Sequence, residues 1–279
     1  MTTTGRIHYN GNTPLTIDDC RRISPAIFAE HPHSSRSEDY SYIPTTQMLE
    51  ELIANGFHPF SISQSGSRKP DQRPFTKHLI RLRHDVQDWS KNELLPEVVL
   101  LNSHNGTSSY QLSSGIFRVA CSNGLIVASS VFDSIRVPHR GDVMSRIIEG
   151  CHQTIENFPK VVSQISTFQS IELTPKQVEA FAIDGLKLRY PDPKKPMPAL
   201  DYSFADARRM EDTGSSLWKV FNRVQESLIN GGSVYPHTLP SGAVRMRRMR
   251  SLRGIDANME VNRGLWKLAE EWADALLLK

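Results

Sequence analysis

The chain has 279 residues, 38% apolar and 23% charged, a composition that can bury a sizeable core in one large or two small domains. No uncharged apolar run reaches the roughly eighteen residues of a membrane span, and the opening MTTTGRIHYNGNTP lacks the apolar stretch of a signal peptide. The net charge of +3 is compatible with a nucleic-acid partner without arguing for one, so the placement of the basic residues carries more information than their number.

Cys20, Cys121 and Cys151 are widely spaced, with no CxxC pair and no Cys/His cluster at metal-ligand spacing. They read as reduced thiols, and a cytoplasmic location is expected. Along the chain, Thr16–Arg22 suits a short helix capped by Thr16, with Asp18 and Asp19 in its first turn. The stretch HPHSSRSEDYSYIP reads as a polar loop. After Pro44, a helix capped by Thr45 or Thr46 carries Met48, Leu49, Leu52 and Ile53 at helical spacing, and Asn55-Gly56 stops it.

Strands are predicted at 57–62, 75–83 and 97–103, with two or three more between Tyr110 and Ser130. Asn105-Gly106 and Asn123-Gly124 read as hairpin turns, with Cys121 buried in a strand. Helices do not separate these strands regularly, so an antiparallel or mixed sheet is expected and βαβ units are disfavoured.

From Asp142 the pattern becomes helical. Met144, Ile148, Cys151, Ile155, Phe158, Val162 and Ile165 form a heptad-like stripe, with a kink or break expected at Pro159. Thr174-Pro175 opens the next helix, which runs to about Arg189. Four prolines between Pro191 and Pro198 mark a rigid linker or loop. Ser215–Asn230 is helical, closed by Gly231-Gly232, and a glycine- and proline-containing loop follows. The last helix spans about Glu260–Leu278. Trp218, Trp266 and Trp272 lie on apolar helical faces, where core packing is their usual role. The class is therefore α+β: an N-terminal sheet with short helices over 1–140 and a largely helical region over 141–279, in one domain or two.

Five arginines, Arg245, Arg247, Arg248, Arg250 and Arg253, crowd into SGAVRMRRMRSLRG with no acid beside them. Such a group needs a solvated surface or an anionic partner, and phosphate suits arginine because two of its oxygens can be gripped at once. A second basic stretch, KHLIRLRH, reads as a strand with Lys77, Arg81 and Arg83 on one face, an arrangement suited to a groove that contacts a DNA backbone. Arg36 and Arg68 are loop candidates. Tyr110 is a candidate for stacking on a base.

Catalytic chemistry has little sequence support. Ser103, His104 and Cys121 lack a GxSxG elbow or an enforced Cys/His pair. His31 and His33 near Glu38 and Asp39 lack an HExxH helix. Asp85 and Asp88 with Asp133 or Asp142 have no spacing that enforces a two-metal site. No Walker or GxGxxG loop occurs, and no cofactor or metal is expected.

Several blocks together resemble a known family. LLNSHNGTSSYQLSSGIFRVACSNGL, RVPHRGDV, NRVQESLINGG and RGIDANMEVNRGLWKLAE look like the conserved blocks of the DUF932 family, and more closely of its UPF0380 members. SRSEDYSYIPT and TKHLIRLR resemble the same members, so the likeness runs from about residue 14 to 275. The resemblance implies a phage, prophage or plasmid setting near replication, recombination or anti-restriction genes, and it brings no catalytic residue. The leading expectation is non-catalytic binding of single-stranded or structured DNA through Arg81, Arg83, Arg245, Arg247, Arg248, Arg250 and Arg253, with Tyr110 stacking, in a setting of annealing or recombination. The alternatives are a protein-binding accessory factor, such as an inhibitor of a host defence enzyme, and a nuclease or nucleic-acid-modifying enzyme. A homo-oligomer is compatible with each.

Overall fold

The structure, a computed structural model, describes residues 13–35, 42–85, 94–118, 123–126, 135–137, 142–192, 197–198, 202–239 and 241–278. Cys121, Arg36, Glu38, Asp39, Asp88 and Asp133 therefore lie outside the described residues. The chain divides into two compact units, one reaching Phe158 and the other covering Pro159–Lys279.

In the first unit, α1 (Ile17–Ile23) starts where the sequence reading placed it. Thr16 Oγ1 accepts from the Asp19 amide at 3.1 Å and the Asp19 carboxylate accepts from the Thr16 amide at 3.2 Å, a reciprocal capping box. α2 (Thr45–Ala54) follows Pro44 as expected, but neither threonine caps it: Pro44 is the N-cap and no side chain bonds the first-turn amides. The Thr45 hydroxyl is instead buried in the interior.

β1 (Phe57–Gln64), β2 (His78–His84), β3 (Leu94–Asn102) and β4 (Tyr110–Arg118) form an antiparallel meander. Two short strands pair antiparallel with β4: β6 (Ile135–Val137) along its first residues and β5 (Asn123–Ile126) along its last. The sheet is thus antiparallel throughout, within the expected α+β class. Asn105-Gly106 does turn the chain, with Gly106 at φ 74° and the Thr107 amide donating to Asn105 Oδ1. Asn123-Gly124 does not. It opens β5, opposite Arg118 and Phe117.

The apolar face of β1–β4, including Ile62, Ile80, Leu82, Val98, Leu100 and Leu112, packs against Cys20, Met48, Leu49, Leu52, Val143, Ile147 and Cys151. Those partners come from α1, α2 and α3 (Val143–Glu156). Because α3 packs on β3, β4 and β6, it belongs with the sheet, and the division falls after Phe158 and not at residue 140.

The expected break in the long stripe occurs at Asn157, which caps α3, and α4 (Phe158–Ser170) begins immediately. Pro159 falls in the first turn of α4, where its missing N–H removes no intrahelical bond. The break also shifts the buried face by one residue: Val161 is buried, whereas Val162 is 40% exposed.

In the second unit, α5 (Pro175–Arg189) opens with a second capping box, Thr174 with Gln177, and Pro175 at its first position. α6 (Leu217–Asn230) and α7 (Ile255–Leu277) complete the helical core, α7 starting five residues before the predicted Glu260. Trp218 stacks parallel on Phe221 at 5.6 Å, and Trp266, fully buried, meets both rings edge-on and Phe168 of α4 at 5.5 Å. Among the described residues no helix is long and apolar enough to cross a membrane.

Candidate nucleic-acid interface

The segment between α6 and α7, read from sequence as a loop, is a two-stranded antiparallel ribbon: β7 (Val234–Thr238) and β8 (Val244–Arg248). Its turn closes by a bond from the Gly242 amide to the Leu239 carbonyl at 2.9 Å, with Gly242 at φ 82°, a conformation that favours glycine. Successive residues on a strand point to opposite faces. The register therefore puts Tyr235 and His237 with Arg247 and Arg245 on one face, and Pro236 and Thr238 with Met246 and Val244 on the other, beside Val234 and Arg248.

All five residues of β8 are exposed, and Arg250 and Arg253 beyond it are exposed as well. Among the described residues none of these five arginines has a carboxylate within ion-pair distance. Among the described residues five uncompensated guanidiniums thus lie on one ribbon and the segment leaving it. α7 opens just past them at Gly254 with no side-chain cap, so the positive end of its dipole adds to the same field.

The base of the ribbon is built into the helical core. Met249 is buried, and its amide and carbonyl pair with Ser233 and Gly232 at 2.8 and 2.9 Å. The Leu252 amide donates to Ile229 at 2.7 Å, and Arg189 donates to the carbonyls of Leu228 and Arg250, tying the end of α5 to both flanks. Gly231, with φ 67°, ends α6 so close to the segment after β8 that a Cβ there would sit 2.5 Å from the Met249 carbonyl oxygen. Arg208 donates to the Gly231 carbonyl at 2.8 Å. The arginines project from a fixed stem.

Arg81, Arg83 and Tyr110 have a different placement, which corrects the reading of β2 as an open basic surface. Every residue of β2 except His84 is buried. Arg83 donates from Nε to Glu97 at 2.9 Å and Arg81 from Nη1 to the other oxygen of the same carboxylate at 3.1 Å, with Glu97 1% exposed. The Arg83 guanidinium also lies between the rings of Phe60 and Phe117, at 4.1 and 4.0 Å. Burial lowers the Arg81 pKa, the Glu97 charge opposes that, and the Arg83 charge adds to it. Tyr110 is fully buried, its hydroxyl donating to the Ile43 carbonyl at 3.1 Å. These three residues are parts of the interior and present no face to a phosphate or a base.

The polar loop after β3 likewise turns inward. Thr45 Oγ1 lies 3.0 Å from each of His78 Nε2, His104 Nε2 and Asn102 Nδ2, and all four residues are fully buried. One assignment satisfies the threonine hydroxyl. His78 Nδ1–H donates to the Thr76 carbonyl at 3.1 Å, so its Nε2 accepts the Thr45 proton, while Asn102 and His104 donate to the threonine oxygen. Burial pushes the His78 pKa down to about 4, which keeps the ring neutral in this role. Ser103 Oγ donates to the Ser108 carbonyl and accepts from its amide, bracing the turn. Desolvation pushes the Cys20 thiol up to about 12 and raises Cys151 further, so both behave as buried apolar groups.

His31 and His33 both pack against Phe75, and His33 approaches Asp71 at 3.6 Å. Among the described residues no group of three or more His, Cys, Asp or Glu side chains is placed to hold a metal. A cavity of about 720 Å³ in the second unit, between the start of α5 and residues 204–207, is lined by Leu173, Val178, Phe204, Glu179, Asp206 and Arg223 among others. The Arg223 guanidinium is committed there to the carbonyls of Asp212 and Gly214.

Of the sequence candidates, the structure thus brings the five arginines of 245–253 together at the surface. It adds Tyr235, His237, Pro236, Val244 and Met246, which the loop reading missed. The available signal was the alternation Val244-Arg245-Met246-Arg247, a period-two pattern.

Comparison with known proteins agrees with the resemblance carried by the sequence blocks. Residues 32–266 match the family described as "Domain of unknown function (DUF932)". Two proteins of Escherichia coli K12, UPF0380 protein YafZ and UPF0380 protein YfjQ, are each 40% identical over 257 residues, covering 92% of this chain and 91% of theirs. No solved structure matches. The extent of these matches, spanning both units and the ribbon between α6 and α7, means that the chain belongs to the DUF932 family.

Proposed function

We propose that this protein binds DNA, single-stranded or structured, without catalysis, through the β7–β8 ribbon and the arginines that follow it. The observation that carries this reading is the set of five exposed arginines, 245, 247, 248, 250 and 253, with no carboxylate partner among the described residues and a rigid stem beneath them. Guanidinium groups repel one another unless an anion lies among them, and phosphate accepts two of their hydrogen bonds at once. A two-stranded ribbon is also narrow enough to enter a DNA groove. Arg245 and Arg247, two residues apart on one face, are separated by about 7 Å, a step comparable with that between phosphates of an extended strand. The cytoplasmic setting and a part in phage or plasmid recombination or annealing fit this reading.

The protein-binding alternative draws less support. The stripe from Met144 to Ile165 offers such a surface only in part: Cys151 and Ile165 are buried and Met144, Ile148 and Ile155 pack against the sheet core, while Val162 is 40% exposed.

Backbone binding by arginine is salt-dependent. On single strands log Kobs falls against log salt with a slope of about −0.7 per phosphate contact, so five contacts give about −3.5. Fluorescence anisotropy with labelled single-stranded and duplex oligonucleotides at two salt concentrations tests this. Joint replacement of Arg245, Arg247, Arg248 and Arg250 by glutamine should reduce the slope to about −0.7. No binding of either DNA by the unaltered protein at low salt sinks the proposal.

A further inference from the structure

The ribbon has a second face that phosphate contact does not explain. Val244 and Met246 are 62% and 63% exposed, Pro236 opposite Met246 is exposed, and Arg248 shares their side. Exposed apolar side chains grouped on one face among polar neighbours are a feature of interaction sites. The charges beside them restrict that partner: Arg248 lies on the same face, Arg245 and Arg247 alternate with them along β8 on the opposite face, and no carboxylate offsets these arginines among the described residues. A narrow ribbon with apolar side chains and Arg248 on one face, and further uncompensated cations on the other, suits a polyanion that also carries flat apolar surfaces. Nucleic acid with unstacked bases is such a partner, whereas a closed duplex hides its base faces.

We infer that Pro236, Val244 and Met246 contact the faces of unpaired bases while the arginines hold the phosphates, so that the ribbon selects DNA with exposed bases over closed duplex. This inference rests on the DNA-binding reading and deepens it. Apolar side chains, methionine and proline among them, lodge against or between bases where these are unstacked. A single strand or a flexible junction has already met the unstacking cost that a regular duplex would add. The contact reads no hydrogen-bond pattern, so it confers preference for a strand state and little preference for sequence.

The experiment uses the full chain and oligonucleotides carrying 2-aminopurine, whose fluorescence rises when it leaves the stack. The variant is Val244→Ser with Met246→Ser, two exposed positions where loss of a fold-stabilising contact is small. The unaltered protein should bind single strands with a fluorescence rise. The variant should keep the salt slope and duplex affinity but lose the rise and about fivefold of its single-strand affinity, equivalent to roughly 1 kcal/mol. Binding without a fluorescence change, or a variant with an undiminished preference for single strands, overturns this inference and leaves backbone binding standing. No binding to any DNA overturns both and directs attention to a protein partner with an acidic rim.

Discussion

Replacing Glu97 by glutamine isolates the buried charge cluster from every surface effect. Glu97 is 1% exposed and its two oxygens accept from Arg83 Nε at 2.9 Å and Arg81 Nη1 at 3.1 Å. Glutamine keeps the shape but withdraws the charge that two guanidiniums share. Removing one partner of a buried ion pair costs about 3–5 kcal/mol. The retained contact of Arg83 with Phe60 and Phe117 moderates this by about 1 kcal/mol, and the second stranded guanidinium works the other way. We expect a loss of about 3 kcal/mol, which at a urea m-value of about 2 kcal/mol/M lowers the unfolding midpoint by about 1.5 M. Urea unfolding followed by far-ultraviolet circular dichroism measures this. Arg81→Met, Arg83→Met and Glu97→Leu combined removes all three charges and should restore most of the midpoint, because apolar replacement of a whole buried ion set is near neutral or stabilising. A midpoint shift below about 0.3 M for Glu97→Gln refutes the argument, since it means the cluster is hydrated and the arginines are accessible.

Two further predictions concern the interior of each unit. His78 is held neutral with its pKa pushed down to about 4, against about 6.5 when unfolded. The unfolded chain therefore binds more protons between these values, so this contribution is complete above pH 6.5 and is lost as pH falls through 4. Its full size is about 3 kcal/mol, and a His78→Gln variant should show a flatter stability profile over that window in urea titrations at stepped pH. Gly231→Ala forces a Cβ to within 2.5 Å of the Met249 carbonyl at a positive φ. It should cost roughly 2 kcal/mol or more by thermal unfolding and weaken DNA binding by loosening the ribbon stem, and wild-type stability would refute the close packing.

Much of the fold was legible because its signals are local. The caps at Thr16 and Thr174, Pro175 at a helix start and the Asn55-Gly56 stop each act within a few residues, and the structure shows all of them. The errors arose where a local pattern had two physical uses. A threonine after proline suits a cap, but Thr45 instead supplies a buried oxygen to residues 33, 57 and 59 positions away. A strand with Arg81 and Arg83 on one side looks solvated until register brings Glu97 of the neighbouring strand beside it, and register is a tertiary property. The ribbon was missed because Pro236 and three arginines depress strand propensity, although both are tolerated on edge strands. The arginine cluster itself was visible as a run of residues; its two-faced arrangement was not.

The ribbon has only two strands among the described residues, so each offers an outer row of backbone donors and acceptors to any passing extended chain. Natural proteins guard such margins with like charge. The same arginines that would hold phosphate therefore act as gatekeepers against self-recruitment: two copies approaching edge to edge meet cation against cation. Neutralising them with glutamine removes a ligand contact and a colloidal safeguard together, so the quadruple variant should be more prone to aggregate than its stability alone implies.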